Sequence, residues 1–395
     1  MKRIFYALLV VMVFQGITPR ITNAQGRQRP FPLPSEPLVI ETFDAKIKVT
    51  VVAHGMPQPF SLLVLPDGDM LVTERFTPAL RVIRNGVLDP NPLSGLPEIR
   101  TGFHSGLLDI EAHPDFDQNH LVYFTYHQAL PDSREYAIAL GRARYDGGSA
   151  LTNFEQLFVG TPMTISGGSR LVFAPDGKLF ITVGGAMDRQ PLAQDLSRLE
   201  GKVLRLNADG TIPSDNPFVG RTDARPEIYS YGHRDQYGLA IHPVTGELFH
   251  AELGPLGGDK LNIIKAGANY GWPLFGYGSY NDGEPMNPLP REGFETAVII
   301  WQPGIVPSGL LFYTGDAFPQ WKGNLFAGSI QRGRIPGTGG LERVVFADNM
   351  WERQRETLVT DLRQRVRDVS QGPDGAIYIL TEEQDGAVIR LEPAP

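Results

Sequence analysis

The chain of 395 residues contains no cysteine, and this absence narrows its chemistry. Disulfide bonds, thiolate metal sites and cysteine nucleophiles are excluded, so the fold must be stabilised by a hydrophobic core. Lysine and arginine together number 36 against 44 acidic residues, which gives a net charge of -8. Because cations that neutralise phosphates supply most nucleic-acid affinity, an acidic chain without basic runs is not expected to bind nucleic acid.

Long hydrophobic runs are also scarce. At the N terminus, Lys2 and Arg3 precede an apolar stretch over Ile4–Ile17, and a small-residue cleavage site ends at Ala24. This order predicts a signal peptide over residues 1–24 and a periplasmic or secreted protein. A single membrane anchor is the alternative, but the run is shorter than the ~20 residues of a span. No other stretch is long enough, so the mature chain is expected to have no membrane span.

The common catalytic signatures of secreted hydrolases are missing as well. The sequence has no GxSxG, HExxH or GxxxxGK[ST] motif and no EF-hand loop. Its eight histidines include no i, i+4 pair of the kind that binds zinc on a helix. These absences argue against the commonest hydrolytic mechanisms.

Glycine (44 residues) and proline (33) are plentiful, and they occur at the turns of a repeated unit. A turn followed by an apolar strand occurs six times, beginning at Pro66, Pro114, Pro175, Pro243, Pro319 and Pro373. Proline presets φ for a turn, and the β-formers that follow favour a strand. The intervals of 48 to 76 residues leave room for several strands each.

Six such units predict an all-β fold, a six-bladed β-propeller, which buries sheet faces between neighbouring blades. We assign residues 39–395 to this single domain and residues 25–38 to a Pro-rich lead-in that is expected to be mobile. A β-sandwich with recurrent hairpins is the alternative. It would need two domains at this length, and no linker follows Pro34.

Two arginines near the C terminus form a charged feature on one strand face. Arg365 and Arg367 are two residues apart, so their side chains point the same way. A planar anionic ligand would suit them, because guanidinium groups bind carboxylates in bidentate fashion. Surface pairing with acids such as Asp361 and Asp368 is the alternative.

Three other turns carry polar groups. His104 lies in a Gly-flanked turn just before a strand, and Arg234 stands beside Asp235 in a second turn. Gly254 and Pro255 form a turn whose backbone carbonyls could be exposed to a ligand. For His104, a hydrogen-bonded loop residue is the alternative to a catalytic one.

Taken together, these segments resemble the soluble sugar dehydrogenases that depend on pyrroloquinoline quinone (PQQ), the glucose and sorbosone dehydrogenase family. The resemblance runs from about Val51 to Leu391. It is carried by LLVLPDGDMLVTER, GLLDIEAHPDF, RLVFAPDGKLFITVG, NPFVG, PEIYSYGHRD, GGDKLNII, ANYGWP, PSGLLFYTGDAFPQWKGNLF and RVRDVSQGPDGAIYILTE. The fold of that family is a six-bladed propeller, in agreement with the repeat.

The resemblance also implies a reaction. In such enzymes the quinone lies in a cleft on one propeller face, a calcium ion polarises its reactive carbonyl, and basic residues hold its carboxylates. A histidine takes the proton of the sugar's anomeric hydroxyl while hydride passes to the quinone, so that an aldose becomes a lactone. The cofactor supplies the redox chemistry and the protein supplies position and field.

Carried over by position, the resemblance implies several site residues. The backbone carbonyls of Gly254 and Pro255 would bind the cofactor's calcium, an ion that prefers oxygen ligands. Arg234 matches the arginine of the family's GHRN motif. Arg365 and Arg367 match its two cofactor-binding arginines near the last blade.

The sequence departs from the family at the catalytic base. The family carries a His-Phe-Gly-Gly or similar stretch before the RLVF strand, whereas this chain reads ISGGSRLVF over Ile165–Phe173, with Ser166 or a neighbour in place of the histidine. His104, which stands where the family usually has a glutamine that contacts the quinone, is one candidate substitute. Asp235, in the asparagine position of GHRN, is the other.

Other polar positions have changed too. Gly184-Gly185 replaces the family's Gly-Asp, and Gln331 replaces a cofactor-contacting lysine. Lys260 replaces a carboxylate that the family associates with a second calcium, so this second ion is not expected here.

Three functions therefore remain open. The first is a PQQ-dependent dehydrogenase acting on a small sugar, with an unidentified electron acceptor. The second is a non-catalytic propeller that binds a sugar or a protein and has lost the catalytic histidine. The third is a calcium-dependent hydrolase resembling lactonases.

Overall fold

Short antiparallel strands joined by turns make up nearly all regular structure, as the glycine and proline content predicts. The computed structural model describes residues 31–102, 105–131, 133–165, 167–187, 189–287 and 291–395. The strands form six sheets arranged as the blades of a propeller. The predicted all-β, six-bladed fold is confirmed.

Each blade is built from strands that follow one another in the chain. The propeller begins with β1 (Leu38–Glu41) and β2 (Lys46–Met56). The first four-stranded blade has β3 (Pro59–Val64), β4 (Met70–Glu74), β5 (Ala79–Arg84) and β6 (Val87–Leu88). The second has β7 (Leu107–Ala112), β8 (Leu121–Ala129), β9 (Tyr136–Arg144) and β10 (Thr152–Val159). The third has β11 (Leu171–Phe173), β12 (Lys178–Val183), β13 (Lys202–Asn207) and β14 (Ile228–Tyr231).

The remaining blades follow the same pattern. The fourth has β15 (Gln236–Ile241), β16 (Leu248–Glu252), β17 (Asp259–Ile264) and β18 (Ile299–Trp301). The fifth has β19 (Pro307–Phe312), β20 (Leu325–Ser329), β21 (Gly340–Phe346) and β22 (Glu352–Leu358). The last strands are β23 (Val366–Gln371), β24 (Ile377–Thr381) and β25 (Gly386–Pro393). Short helices in the described residues are α1 (Phe116–Asn119) and the 3-10 helices Pro191–Gln194, Pro319–Trp321 and Thr360–Leu362.

The sixth blade joins the two ends of the domain. Its strand order is β1-β2-β25-β24-β23, and β2 pairs with β25 along most of its length, with Val49 opposite Leu391. Backbone hydrogen bonds between the first and last strands therefore close the ring. This closure leaves short sheet edges at the outer strands of the blades.

The six proline turns of the sequence have one structural place in common. Each lies between the first and second strand of a blade, from Pro66 between β3 and β4 to Pro373 between β23 and β24. The turn chemistry is local, which explains why the blade count could be read from the sequence.

The first strand of every blade faces a central channel. Residues of β3, β7, β11, β15, β19 and β23 surround a cavity of about 360 Å³. In its wall, Arg170 pairs with Asp109 at 2.9 Å and with Asp368 at 3.1 Å. Between blades, apolar side chains pack tightly, as Trp321 and Phe326 do against the sixth blade.

The N-terminal lead-in is described from Phe31 onward, so the predicted signal peptide over residues 1–24 lies outside the described residues. The Phe31 carbonyl accepts a hydrogen bond from Gln364 Nε2 at 2.7 Å. The Arg363 guanidinium lies 3.6 Å from the centre of the Phe31 ring. This part of the lead-in is thus attached to the propeller. Among the described residues, no helix is long and apolar enough to cross a membrane.

Candidate functional site

A cavity of about 630 Å³ opens beside the turns that precede the inner strands. It lies mainly on the fourth and fifth blades, and Tyr237 at the start of β15 forms part of its wall. The other lining residues are Met187, Arg234, Asp235, Leu253, Gly254, Pro255, Leu256, Gly257, Asp259, Asn281, Gln302, Pro303, Gly304, Val306, Gln331, Gly333 and Arg334. Four residues predicted from the sequence therefore meet here, namely Arg234, Asp235, Gly254 and Pro255.

Arg234 presents a buried guanidinium to this cavity. The residue is 8% exposed, its Nη1 donates to the Leu253 carbonyl at 3.2 Å, and it lies 5.4 Å from the Trp272 ring centre. Within the described residues it forms no ion pair, and its Nε has no hydrogen-bond partner. Burial lowers the pKa of Arg234, while the nearby Asp235 opposes this shift. A buried cation that no carboxylate contacts directly is costly, so it indicates a site for an anionic ligand.

Glu252, the last residue of β16, fixes the backbone at Arg234. Its Oε2 accepts a hydrogen bond from the Arg234 N–H at 2.6 Å, and Lys260 Nζ lies 3.1 Å from its Oε1. Burial opposes ionisation, but Lys260 and His233 together lower the pKa of Glu252 below its usual range. Glu252 is therefore a charged anchor beneath the cavity wall.

Lys260, which replaces a carboxylate of the family, forms a buried ion pair with Glu252. Besides Glu252, its ammonium group donates to the Tyr270 carbonyl at 3.1 Å. His233 and His250 lie close enough to Glu252 for the three to share a metal ion. The Lys260 ammonium already neutralises the Glu252 carboxylate.

The turn at Gly254 and Pro255 is fixed by Asp259. The two carboxylate oxygens of Asp259 accept hydrogen bonds from the backbone N–H of Gly254 at 2.8 Å and of Val306 at 2.7 Å. Burial raises the pKa of Asp259 to about 6, and the two backbone donors oppose the shift. The Pro255 carbonyl accepts a hydrogen bond from Arg334 Nη2 at 2.7 Å.

The carboxylate of Asp235 rests against glycine backbone. Its Oδ1 accepts a hydrogen bond from the Gly168 N–H at 3.0 Å. A Cβ atom on Gly167 would lie 1.6 Å from this oxygen, and one on Gly184 would lie 2.5 Å from it. Only glycine leaves room for the carboxylate at these two positions. Gly167 and Gly168 lie in the segment where the family carries its catalytic histidine, and Gly184 lies in the pair that replaces the family's Gly-Asp. Both altered segments therefore contact Asp235.

The paired arginines of the last blade contact a shared acid. Arg365 Nη2 donates to Glu382 Oε2 at 2.8 Å, and Arg367 Nη2 donates to the same oxygen. Burial opposes ionisation of Glu382, but the two arginines lower its pKa. Arg367 also lies 5.2 Å from the ring centre of Tyr237, which lines the cavity.

The arginine pair itself does not line the cavity. Pairing with an acid was the alternative for these residues, but the acid is Glu382 and not Asp361 or Asp368. Asp368 instead pairs with Arg170 in the channel. Glu382 lies on the segment that follows β24, and strand pairing brings it opposite the arginines.

Two positions of the predicted site, His104 and Ser166, lie outside the described residues. Conversely, the sequence analysis did not single out Tyr237, Asp259 or Arg334, all of which line the cavity. Asp259 stands in the GGDK motif, which could have drawn attention to it. Arg334 belongs to the polar stretch QRGR, which carries no recognisable signal.

Comparison with known proteins identifies the family of this chain. Residues 56–390 match the family described as glucose/sorbosone dehydrogenase. The aldose sugar dehydrogenase of Escherichia coli is 38% identical over 357 residues, which cover 88% of this chain and 94% of that protein.

Solved structures show the same fold. The soluble aldose sugar dehydrogenase from Escherichia coli, in its apo form, superimposes with a TM-score of 0.80 at 36% identity and covers 88% of this chain and 100% of its own. The PQQ-bound aldose sugar dehydrogenase from Streptomyces coelicolor gives a TM-score of 0.71 at 26% identity, with 91% and 100% covered.

Proposed function

Because the chain belongs to the glucose/sorbosone dehydrogenase family, we propose that it is a PQQ-dependent sugar dehydrogenase that oxidises the anomeric carbon of aldoses to lactones. A relative whose structure contains PQQ supports the choice of cofactor. The predicted signal peptide supports a periplasmic or secreted location.

The observation that carries the proposal is the buried guanidinium of Arg234, which forms no ion pair in the described residues and whose Nε has no hydrogen-bond partner there, in a cavity of about 630 Å³. Ligand cavities commonly measure ~300–1,000 Å³, so the size suits a small polycyclic cofactor. The charge suits an anionic one. Arg234 would pair with a carboxylate of the quinone, and Gln331 would contribute an amide at the same wall.

Calcium would use the backbone oxygens of Gly254 and Pro255. These are hard oxygen donors in a turn that Asp259 holds in place, and they fit the preference of this ion. In the proposed site Arg365 and Arg367, two cations that share one acid, leave a net positive charge close to the cavity, since Arg367 lies 5.2 Å from the ring centre of Tyr237.

When bound, PQQ supplies a two-electron acceptor for the anomeric carbon. This chain must hold the sugar in the cavity and accept the proton of its anomeric hydroxyl. We assign this proton to Asp235, a residue of the cavity wall whose carboxylate lies beside Gly167 and Gly184. His104 remains the second candidate. A general base within hydrogen-bond reach contributes ~10²–10⁴-fold to a rate.

Reconstitution tests the proposed function. The mature protein, mixed with PQQ and calcium, should develop the absorbance of the bound cofactor and reduce a dye when glucose or another aldose is added. Cofactor binding without dye reduction across a panel of aldoses would contradict the dehydrogenase and leave a non-catalytic binding propeller. Hydrolysis of added lactones in the absence of PQQ would instead support the calcium-dependent hydrolase.

The base assignment has its own test. Asp235→Asn should lower kcat by roughly 10²-fold or more while leaving the affinity for PQQ within a few-fold. Asp223→Asn, which removes an exposed carboxylate paired with Arg221, is the matched control. In the Asp235→Asn background, Ser166→His should restore part of the rate. An unchanged kcat in Asp235→Asn would transfer the role to His104.

A further inference from the structure

Arg334 occupies one of the two oxygens assigned to calcium. It lies on the loop between β20 and β21 and lines the same cavity as the Gly254–Pro255 turn. Its Nη2 donates to the Pro255 carbonyl at 2.7 Å, within the range of a charge-assisted hydrogen bond. Arg334 forms no ion pair with any acid in the described part of the chain. The carbonyl oxygen is thus its polar partner at this wall.

The turn that bears the oxygen is fixed on both sides. The Gly254 N–H is held by Asp259 Oδ1 at 2.8 Å, and the Gly258 N–H is held by Gln302 Oε1 at 2.7 Å. The Leu256 N–H, which shares a peptide group with the Pro255 carbonyl, donates to the Ser279 carbonyl at 3.1 Å, so the Pro255 carbonyl cannot turn away from an approaching group without breaking this bond. Another cation can therefore replace the guanidinium at this oxygen only if Arg334 moves away.

The loop of Arg334 is also held in a defined shape. Arg334 has φ of 63°, in the left-handed region that non-glycine residues seldom adopt. Thr338 Oγ1 accepts a hydrogen bond from the Arg332 N–H at 2.9 Å and donates to the Ile335 carbonyl at 2.5 Å. From this loop the side chain of Arg334 reaches the Pro255 carbonyl, and because the residue is exposed, the side chain has room to swing outward.

We propose that Arg334 and calcium compete for the Pro255 carbonyl, so that one guanidinium must leave before the ion can bind. This inference rests on the proposed function for the location of the calcium site. Calcium binds oxygen at ~2.3–2.6 Å, and a guanidinium bound to the same oxygen would lie only a few ångströms from it. Two cations at that separation repel each other. Arg334 thus raises the calcium concentration that the site requires.

Direct calcium titration tests the competition without any cofactor. Arg334→Met keeps the aliphatic stem and removes the charge, and isothermal titration calorimetry of the mature protein should show a calcium Kd about fivefold to tenfold lower than in the wild type. Arg334→Lys should fall between the two. Equal or weaker calcium binding by Arg334→Met, or no calcium binding by either protein, would overturn the inference.

A second arginine provides the control. Arg291 also donates to a backbone carbonyl, that of Leu274 at 3.3 Å, but it does not line the cavity. Arg291→Met should bind calcium as the wild type does. A decrease in its Kd equal to that of Arg334→Met would show a general effect of net charge and would contradict competition at Pro255.

PQQ titration separates this inference from the proposed function. The calcium concentration that gives half-maximal PQQ binding should fall in Arg334→Met by the same factor as the calcium Kd. A variant that binds calcium unchanged but PQQ more weakly would make Arg334 a ligand of the cofactor, against the inference. If neither protein binds PQQ at any calcium concentration, the proposed function fails, whereas the calcium titrations still decide the competition.

Discussion

Arg170 in the central channel and Arg234 in the cavity are both buried, but their electrostatic surroundings are opposite. Arg170 has two carboxylate partners, Asp109 at 2.9 Å and Asp368 at 3.1 Å. Arg234 has none in the described residues, and its Nε lacks a hydrogen-bond partner there. Buried charges that neutralise one another belong to the fold, because removing one of them leaves the other uncompensated, whereas a buried charge without an ion-pair partner indicates a ligand.

The two regions lie at different points along the same inner strands. Asp235 and Val306, which line the cavity, precede β15 and β19. The channel is lined by later residues of these strands, Leu239–Ile241 and Gly309–Phe312. The inner strands therefore line the channel that contains the ion pairs of Arg170, whereas the turns before these strands form the candidate site.

The largest effect is expected from breaking the channel network. Arg170→Met leaves Asp109 and Asp368 buried without a cation, so the free energy of unfolding should fall by about 3–5 kcal/mol. Urea denaturation would measure this loss. Arg221→Met, which removes an exposed pair with Asp223, should cost less than ~1 kcal/mol. A similar small cost for Arg170→Met would show that the network contributes little.

Replacing the cavity arginine by methionine should instead weaken ligand binding more than it lowers stability. Arg234→Met removes a charge that forms no ion pair in the described part of the protein, together with its hydrogen bond to the Leu253 carbonyl, so the free energy of unfolding should fall by only about 1 kcal/mol. Affinity for PQQ should fall by roughly tenfold to a hundredfold, which corresponds to a charged hydrogen bond of ~1.5–3 kcal/mol. Absorbance titration measures the affinity. A large loss of stability with an unchanged affinity for PQQ would show that Arg234, like Arg170, stabilises the fold and does not bind the cofactor.

Arg365 lies between these two cases and can sharpen the distinction. It shares Glu382 with Arg367, as a structural pair would, yet its side chain is 40% exposed. Arg365→Ala leaves Arg367 paired with Glu382, so stability should change by less than ~1 kcal/mol. If Arg365 also reaches the cofactor, the affinity for PQQ should drop by about tenfold. Unchanged affinity would assign Arg365 to the pair with Glu382 alone.

The fold could be predicted from the sequence because its signals are local. Pro66 and the five equivalent prolines each begin a tight turn, and the residues at such a turn determine its shape without distant contacts. Arg234, Asp235 and the Gly254–Pro255 turn were found through motifs and prove to share one cavity.

The rest of the site depends on contacts between segments that are far apart in the chain. Arg334 reaches the Pro255 carbonyl, and Asp235 rests against Gly167, only because neighbouring blades bring their turns together. Glu382 meets the paired arginines through the register of β23 and β24. No sequence pattern encodes such side-chain distances, so the partners of these charges could not be predicted.

The smallest expected effect concerns the third acid of the channel. Burial, together with the charges of Asp109 and Asp368, raises the pKa of Glu111 to about 8 from an ordinary value of 4.5. The folded protein then binds this proton more tightly than the unfolded chain does. Between the two pKa values, the contribution of Glu111 to stability therefore decreases as the pH rises.

Glu111→Gln should remove this pH dependence. Because Glu111 is partly exposed to the channel, screening by solvent limits the effect, and the variant should lose about 1 kcal/mol less stability than the wild type between about pH 5 and about pH 8. Urea denaturation across this pH range measures the difference, with the exposed Glu41→Gln as the control for one lost negative charge. Parallel curves for Glu111→Gln and the wild type would mean that the channel is wet enough to keep Glu111 ionised. The channel and the cavity would then be similarly polar, and they would differ only in whether their buried arginine is paired with carboxylates.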